Sequence, residues 1–157
     1  MKPASLSELK QELNTRPQKE ILELCLRLAK FKKENKELLT FLLFEAGDLQ
    51  SYIQNVKIEI DEQFSCINKT NLYFAKKSIR KILRIINKYI KYATSKEAEV
   101  ELLIYFCVQL KNSGIAIHKS TALKNLFNMQ IKKINKIMAF LHEDLQYEYL
   151  KDLEKFN

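Results

Sequence analysis

Apolar residues along this chain return at intervals of three and four positions, and no segment alternates apolar with polar residues over the length of a strand. Leu49, Ile53, Val56, Ile60 and Phe64 form the clearest run, at spacings of four, three, four and four, which keeps them on one side of an α-helix. Eight such segments are predicted. A short first helix carries Leu6, Leu9 and Leu13, and a second runs to about Lys30 with Ile21, Leu24, Cys25 and Leu28 on its inner side. After the polar stretch Lys32 to Lys36 comes a helix over 37–46. Its Leu38, Leu39, Phe41, Leu42, Leu43 and Phe44 leave little polar face, which assigns it to the centre of the core. The 49–66 helix is followed by an uninterrupted pattern from Leu72 to Ala93 and by a helix ending at Asn112, with Val100, Leu103, Cys107 and Leu110 inward. One more runs from about Ser120 to Leu141, and a last from about Glu143 to Phe156 carries Leu145, Tyr149 and Phe156.

Capping signals sit where these patterns begin. Ser5-Leu6-Ser7-Glu8, Thr15-Arg16-Pro17-Gln18 and Thr94-Ser95-Lys96-Glu97 each set a hydroxyl three residues before a Glu or Gln, so that each side chain satisfies a free backbone N–H of the first turn. Asp48 reads as a further N-cap. The only two glycines, Gly47 and Gly114, fall just past apolar patterns and read as C-caps. The expected fold is all-α: a single domain over residues 1–157, with about eight short-to-medium helices in a compact bundle of antiparallel hairpins. A HEAT-like stack and a crossed, orthogonal bundle both satisfy the pattern. A chain of this length buries enough surface to fold without a disulfide or structural metal.

Scarce residues exclude several chemistries. With two glycines lying 67 positions apart, neither a Rossmann nor a P-loop phosphate cradle exists. Cys25, Cys66 and Cys107 are odd in number and outside any CxxC, and Cys25 and Cys107 sit within apolar stripes, so buried thiols in a reducing compartment are expected. The N-terminus carries Lys2, Glu8, Lys10 and Glu12 and lacks the apolar core of a signal peptide. The longest uncharged apolar runs, 38–44 and 102–110, are far shorter than a bilayer span. A cytoplasmic, soluble protein is expected. Neither His118 nor His142 has a Glu three residues before it, as a bundle metal site would need. His142, Glu143 and Asp144 are adjacent and point in different directions around a helix. No metal, cofactor or catalytic constellation is predicted, and the expected function is non-enzymatic.

The run Leu6-Ser7-Glu8-Leu9-Lys10-Gln11-Glu12-Leu13, continued by Glu20-Ile21-Leu22-Glu23-Leu24 and Lys33-Glu34-Asn35-Lys36-Glu37-Leu38-Leu39, resembles an uncharacterised family of small bacterial helical proteins. Ala75-Lys76-Lys77-Ser78-Ile79 is similar to a second stretch of that family, and together the segments cover about a third of the chain. The resemblance implies a bacterial cytoplasmic protein and brings no activity with it.

Charge is distributed unevenly. The formal net charge is +8, yet residues 1–75 hold 11 basic and 11 acidic residues. Residues 76–96 hold 8 basic and no acidic residues, and 119–136 hold 5 basic and no acidic ones. Around the 72–93 helix, Lys77, Lys81, Arg84, Lys88 and Lys91 fall within about 80° of one another, flanked by Lys76 and Arg80. Ile79, Ile82, Leu83, Ile86, Tyr89 and Ile90 lie opposite. Like charges four apart repel by a few tenths of a kcal/mol per pair. Lys132, Lys133 and Lys136, with Lys119 and Lys124, form a looser second group.

Such a row suits a surface for an acidic partner, protein or nucleic acid. Its length of roughly 21 Å, at 1.5 Å per residue, spans several phosphates, which makes non-specific nucleic-acid binding through the basic helix 76–91 the alternative. Tyr73 is the exposed aromatic that could stack on bases, whereas Tyr89 belongs to the apolar side. Only 4 of the 27 basic residues are Arg, the side chain favoured for bidentate contacts. The competing explanation is a solvated face, or lysines paired with Glu97, Glu99 and Glu101 or with Glu59, Asp61 and Glu62. The last helix, with Tyr147, Tyr149, Leu150 and Leu153 on more than one side, adds homodimerisation as a third expectation.

Overall fold

The computed structural model describes residues 2–154, so Phe156 lies outside the described residues. All regular structure among them is helical, as the spacing predicts. Contacts divide the chain into two compact units, Met1–Phe44 and Glu45–Asn157.

In the N-terminal unit, α1 (Leu6–Thr15) opens on the predicted capping box: Ser5 Oγ accepts from the Glu8 N–H at 3.3 Å, and the Ser5 N–H donates to Glu8 Oε2 at 2.7 Å. The Ser5 N–H, and after it the Ser5 hydroxyl donating to the same oxygen, hold the Glu8 carboxyl below its usual range. The second predicted box does not form. Helix α1 runs through Thr15, Arg16 and Pro17 are extended, and α2 (Gln18–Phe31) starts without a side-chain cap. Lys32 alone, extended at φ −142° and ψ 145°, separates α2 from α3 (Lys33–Thr40), in place of the longer polar break expected. The two helices pack on one another, tied by the Asn35 amide donating to the Leu28 carbonyl at 2.9 Å. A π-helical turn, Phe41–Glu45, follows.

Burial here contradicts the sequence reading. No residue of α1, α2 or α3 is buried; Leu24, Cys25 and Leu28 are exposed, and Ile21 is half-buried. The 37–46 segment is not the centre of the core: Phe41 is buried, but Leu42, Leu43 and Phe44 are exposed. A helical apolar face shows that something must cover it, and carries no information on whether the cover comes from the same chain.

The C-terminal unit holds α4 (Leu49–Ser65), α5 (Leu72–Ala93), α6 (Lys96–Asn112), a 3-10 turn (Ile117–Lys119), α7 (Thr121–Met138) and α8 (Glu143–Glu154). Asp48 caps α4 by accepting from the Ser51 N–H at 3.0 Å, and with the Ser51 hydroxyl this keeps its carboxyl low. The third cap is one residue later than predicted. Ser95 accepts from the Ala98 N–H, while Thr94 ends α5 in the left-handed region at φ 48°. Of the glycines, Gly114 alone takes a positive φ, 75°.

Helix α6 is central, packing on α4, α5, α7 and α8. Besides the predicted Val100, Leu103, Cys107 and Leu110, it buries Leu102, Ile104 and Phe106. Ile53, Val56 and Ile60 of α4, Ile79, Ile82 and Ile86 of α5, and Leu123 and Ile134 of α7 complete the core.

Cys107 is buried, and burial pushes its thiol from the ordinary 9.0 up to about 12. Cys25 and Cys66 are exposed, which corrects the expectation for Cys25. Native protein should therefore yield two fast thiols with an aromatic disulfide reagent and the third only on unfolding; three fast thiols would place Cys107 in solvent's reach. Because the raised value favours the protonated folded state, this contribution to stability is complete below about pH 9 and is lost as pH climbs through about 12. Alkaline unfolding of Cys107→Ala should accordingly be shallower over that range.

Candidate functional site

Helix α5 is 22 residues without Gly or Pro, and its apolar stripe, Ile79, Ile82, Ile86 and Ile90, is buried. Asn71 fixes its start by accepting from the Tyr73 and Phe74 N–H groups at 3.0 and 3.3 Å. Packing of that stripe turns the opposite side outward. Lys77, Lys81, Arg84 and Lys91 are exposed, as is Arg80 on the flank. Lys88 differs: it is half-buried, with Nζ 4.7 Å from the centre of the Tyr89 ring and 6.0 Å from that of Tyr92. Tyr73 is exposed, whereas Tyr89 is half-buried, its hydroxyl donating to Glu59 Oε2 at 2.7 Å and its carbonyl accepting from Tyr52 Oη at 3.0 Å.

The second lysine group is split. Lys133 of α7 is half-buried, its Nζ 2.7 Å from Glu99 Oε1 of α6 and 3.3 Å from Asn87 Oδ1 of α5. That last contact joins the two lysine-bearing helices directly. A depression of about 310 Å³ lies there, lined by Asn87, Lys91, Lys96, Glu99 and Lys133 among others. Lys132 and Lys136 are exposed four residues apart on one side of α7, and Lys119 and Lys124 are exposed earlier in the chain. Sequence reasoning missed Lys96 and Asn87, because Lys96 belongs to the next helix and Asn87 is uncharged. The signal that could have found Asn87 is its position, seven residues past Arg80 on the same side of the helix.

Of the acids that could neutralise the row, all but the exposed Glu62 are engaged by other side chains. Glu59 receives the Tyr89 hydroxyl, Asp61 the Tyr105 hydroxyl at 2.7 Å, Glu101 the Lys57 ammonium at 2.7 Å, and Glu97 the Gln50 amide at 3.4 Å. Glu99 takes Lys133. Among the described residues, Lys77, Lys81, Arg84 and Lys91 make no ion pair.

No family of known proteins, no curated protein and no solved structure matches this chain. Assignment of function therefore rests on the chemistry of its side chains.

On the other side of α6 a groove of about 470 Å³ holds Lys57, Glu97, Glu101, Tyr105, Tyr149 and Asp152 among its lining. Lys57 and Glu101 pair with only 18% of each side chain exposed, Lys57 lies 5.2 Å from the centre of the Tyr105 ring, and the Tyr149 hydroxyl donates to Glu101 Oε2 at 3.5 Å. Burial first, and the Glu101 charge second, raise the Tyr149 pKa. At neutral pH both tyrosines stay protonated, so the cluster ties α4, α6 and α8 together as donors and acceptors. His142 caps α8, with Nδ1 3.4 Å from the Asp144 N–H. Among the described residues no group of three or more His, Cys, Asp or Glu is placed to hold a metal ion, and no helix is long and apolar enough to cross a membrane.

Proposed function

We propose that this protein is a non-enzymatic helical interaction module whose α5 row binds an acidic partner protein. The observation that carries the reading is the set of four exposed cations without ion pairs, Lys77, Lys81, Arg84 and Lys91, beside acids already engaged by other side chains. Solvated lysines repelling one another gain most from an anionic surface that displaces their counterions. Lys132 and Lys136 extend the contact across α7, with Lys133 fixing that helix against α5 through Asn87.

A second reading, direct non-specific binding of nucleic acid, is favoured by the regularity of the row and by the exposed Tyr73 at its N-terminal end. The two separate by salt and by target. An acidic peptide and a duplex of random sequence are each titrated at 50 mM salt by fluorescence anisotropy. Four phosphate contacts would weaken duplex binding by roughly 100-fold between 50 and 200 mM salt. Lys77→Glu with Lys81→Glu is expected to lower affinity by about 10-fold or more, since each reversal replaces attraction by repulsion. Lys88 is unsuited to the test because it packs on Tyr89. Binding of neither target at 50 mM salt rejects both readings; affinity unmoved by the double reversal removes α5 from the contact.

A further inference from the structure

Helices α1 and α2 are 10 and 14 residues long, lengths that are marginal in water without packing, and no residue of either is buried. Leu6 is 85% and Phe31 77% exposed, and Leu9, Leu13, Leu24 and Leu28 are exposed with them. One concavity of about 560 Å³ is lined by Leu9, Leu13 and Leu24 together with Glu12, Arg16, Glu20, Glu23 and Arg27. It is neither purely apolar nor of one sign. Arg16 bridges Glu12 and Glu20 at 3.3 and 3.5 Å, leaving Glu23 and Arg27 further along the same side.

We infer that this face is the seam of an antiparallel homodimer, in which α1 of one copy lies on α2 of a second copy and the reverse contact is made at the same time. Spacing selects the occupant. Leu6, Leu9 and Leu13 are three and then four apart, while Leu24, Leu28 and Phe31 are four and then three apart. Reversing one helix against the other therefore matches Leu13 with Leu24, Leu9 with Leu28 and Leu6 with Phe31 in a single register. This is the apolar match that knobs-into-holes packing requires. In that register Glu12 and Arg27 occupy flanking positions on the same edge of the seam, where interhelical ion pairs form. Two-fold symmetry makes each match twice, since whatever residue i meets on residue j is repeated by j on i. A partner of uniform charge would meet repulsion from either the Glu or the Arg residues; a reversed copy meets each with its opposite. Within one chain the pairing is not made, because α2 begins only two residues after α1 and all six apolar side chains remain exposed.

The full chain is tested by light scattering coupled to size exclusion. Twice the chain mass of 18.6 kDa is expected, and a monomer persisting at about 100 μM overturns the inference. Leu13→Glu with Leu24→Glu should give a monomer of unchanged C-terminal packing, read from near-ultraviolet circular dichroism. A dimer surviving those substitutions places the contact elsewhere, for instance on α8, and also overturns it. Glu12→Arg and Arg27→Glu should each weaken the dimer about 5-fold or more, and the two together should restore it. Within the chain Glu12 pairs with Arg16, and among the described residues Arg27 makes no ion pair although both line the same concavity, so rescue is read as recovery of the dimer mass and not of helix stability. Failure of rescue rejects the register.

Discussion

Phe106→Ala is expected to lower the unfolding free energy by about 3–5 kcal/mol, the range for emptying a fully buried aromatic site. Phe106 has no exposed surface and sits on α6, which packs against four other helices, so no single neighbour can collapse into the space. Its ring also meets Phe64 of α4 at 5.8 Å between centroids with a 52° tilt, a contact alanine cannot keep. Against a total stability of about 5–15 kcal/mol, the loss is large enough to shift a urea midpoint severely. Phe140→Ala, at a ring that is 66% exposed with the Lys96 ammonium 4.3 Å from its centre, should cost no more than about 1 kcal/mol and serves as the control. A loss below about 1 kcal/mol for Phe106→Ala would show that α6 is not the centre of packing.

Lys57→Met should cost about 2–3 kcal/mol, slightly below the range for breaking a fully buried pair because 18% of each side chain still reaches water. Removal of the ammonium leaves Glu101 with only the long Tyr149 hydrogen bond, in a groove that also holds Glu97 and Asp152. Glu101→Met alone should destabilise comparably by stranding Lys57. The double variant is the decisive measurement. With both charges gone and similar volume retained, it should return to within about 1 kcal/mol of the parent or exceed it. Additive losses in a thermal or urea cycle would mean that the two side chains act through separate packing and not as a pair.

Where the sequence was a good guide, local chemistry decided the outcome. The α4 and α5 boundaries follow from Asp48, from the polar Asn68–Asn71 loop and from unbroken three-and-four spacing, all of which act within a few residues. Ser5 and Glu8 cap α1 for the same reason. Burial followed the apolar stripe in α4, α5 and α6 and not in α1 and α2, whose stripes are one-sided yet exposed. Two segments hold nearly unbroken apolar runs, 38–44 and 102–108 of α6. One is largely exposed and the other is the centre of its unit, because that choice depends on what the rest of the chain supplies. The lysine row was visible as composition, yet whether Glu59, Glu99 and Glu101 would neutralise it required knowing which side chains reach them. Lys133 proved to be tied to Glu99, and Lys88 to lie on Tyr89 and Tyr92, while Lys77, Lys81, Arg84 and Lys91 stayed outside any pair.

The position of α6 also bears on how divisible the C-terminal unit is. Helices α7 and α8 each rest chiefly on α6, and α4 and α5, though they touch one another, present their apolar stripes to it as well. A fragment that ends before α6 keeps two helices with an uncovered face, and one that begins after it keeps two more without the helix on which both rest. The unit therefore has no internal seam at which it can be shortened, duplicated or exchanged. Within this unit, what can vary without touching α6 is the outward side of each helix, the lysine row of α5 among them.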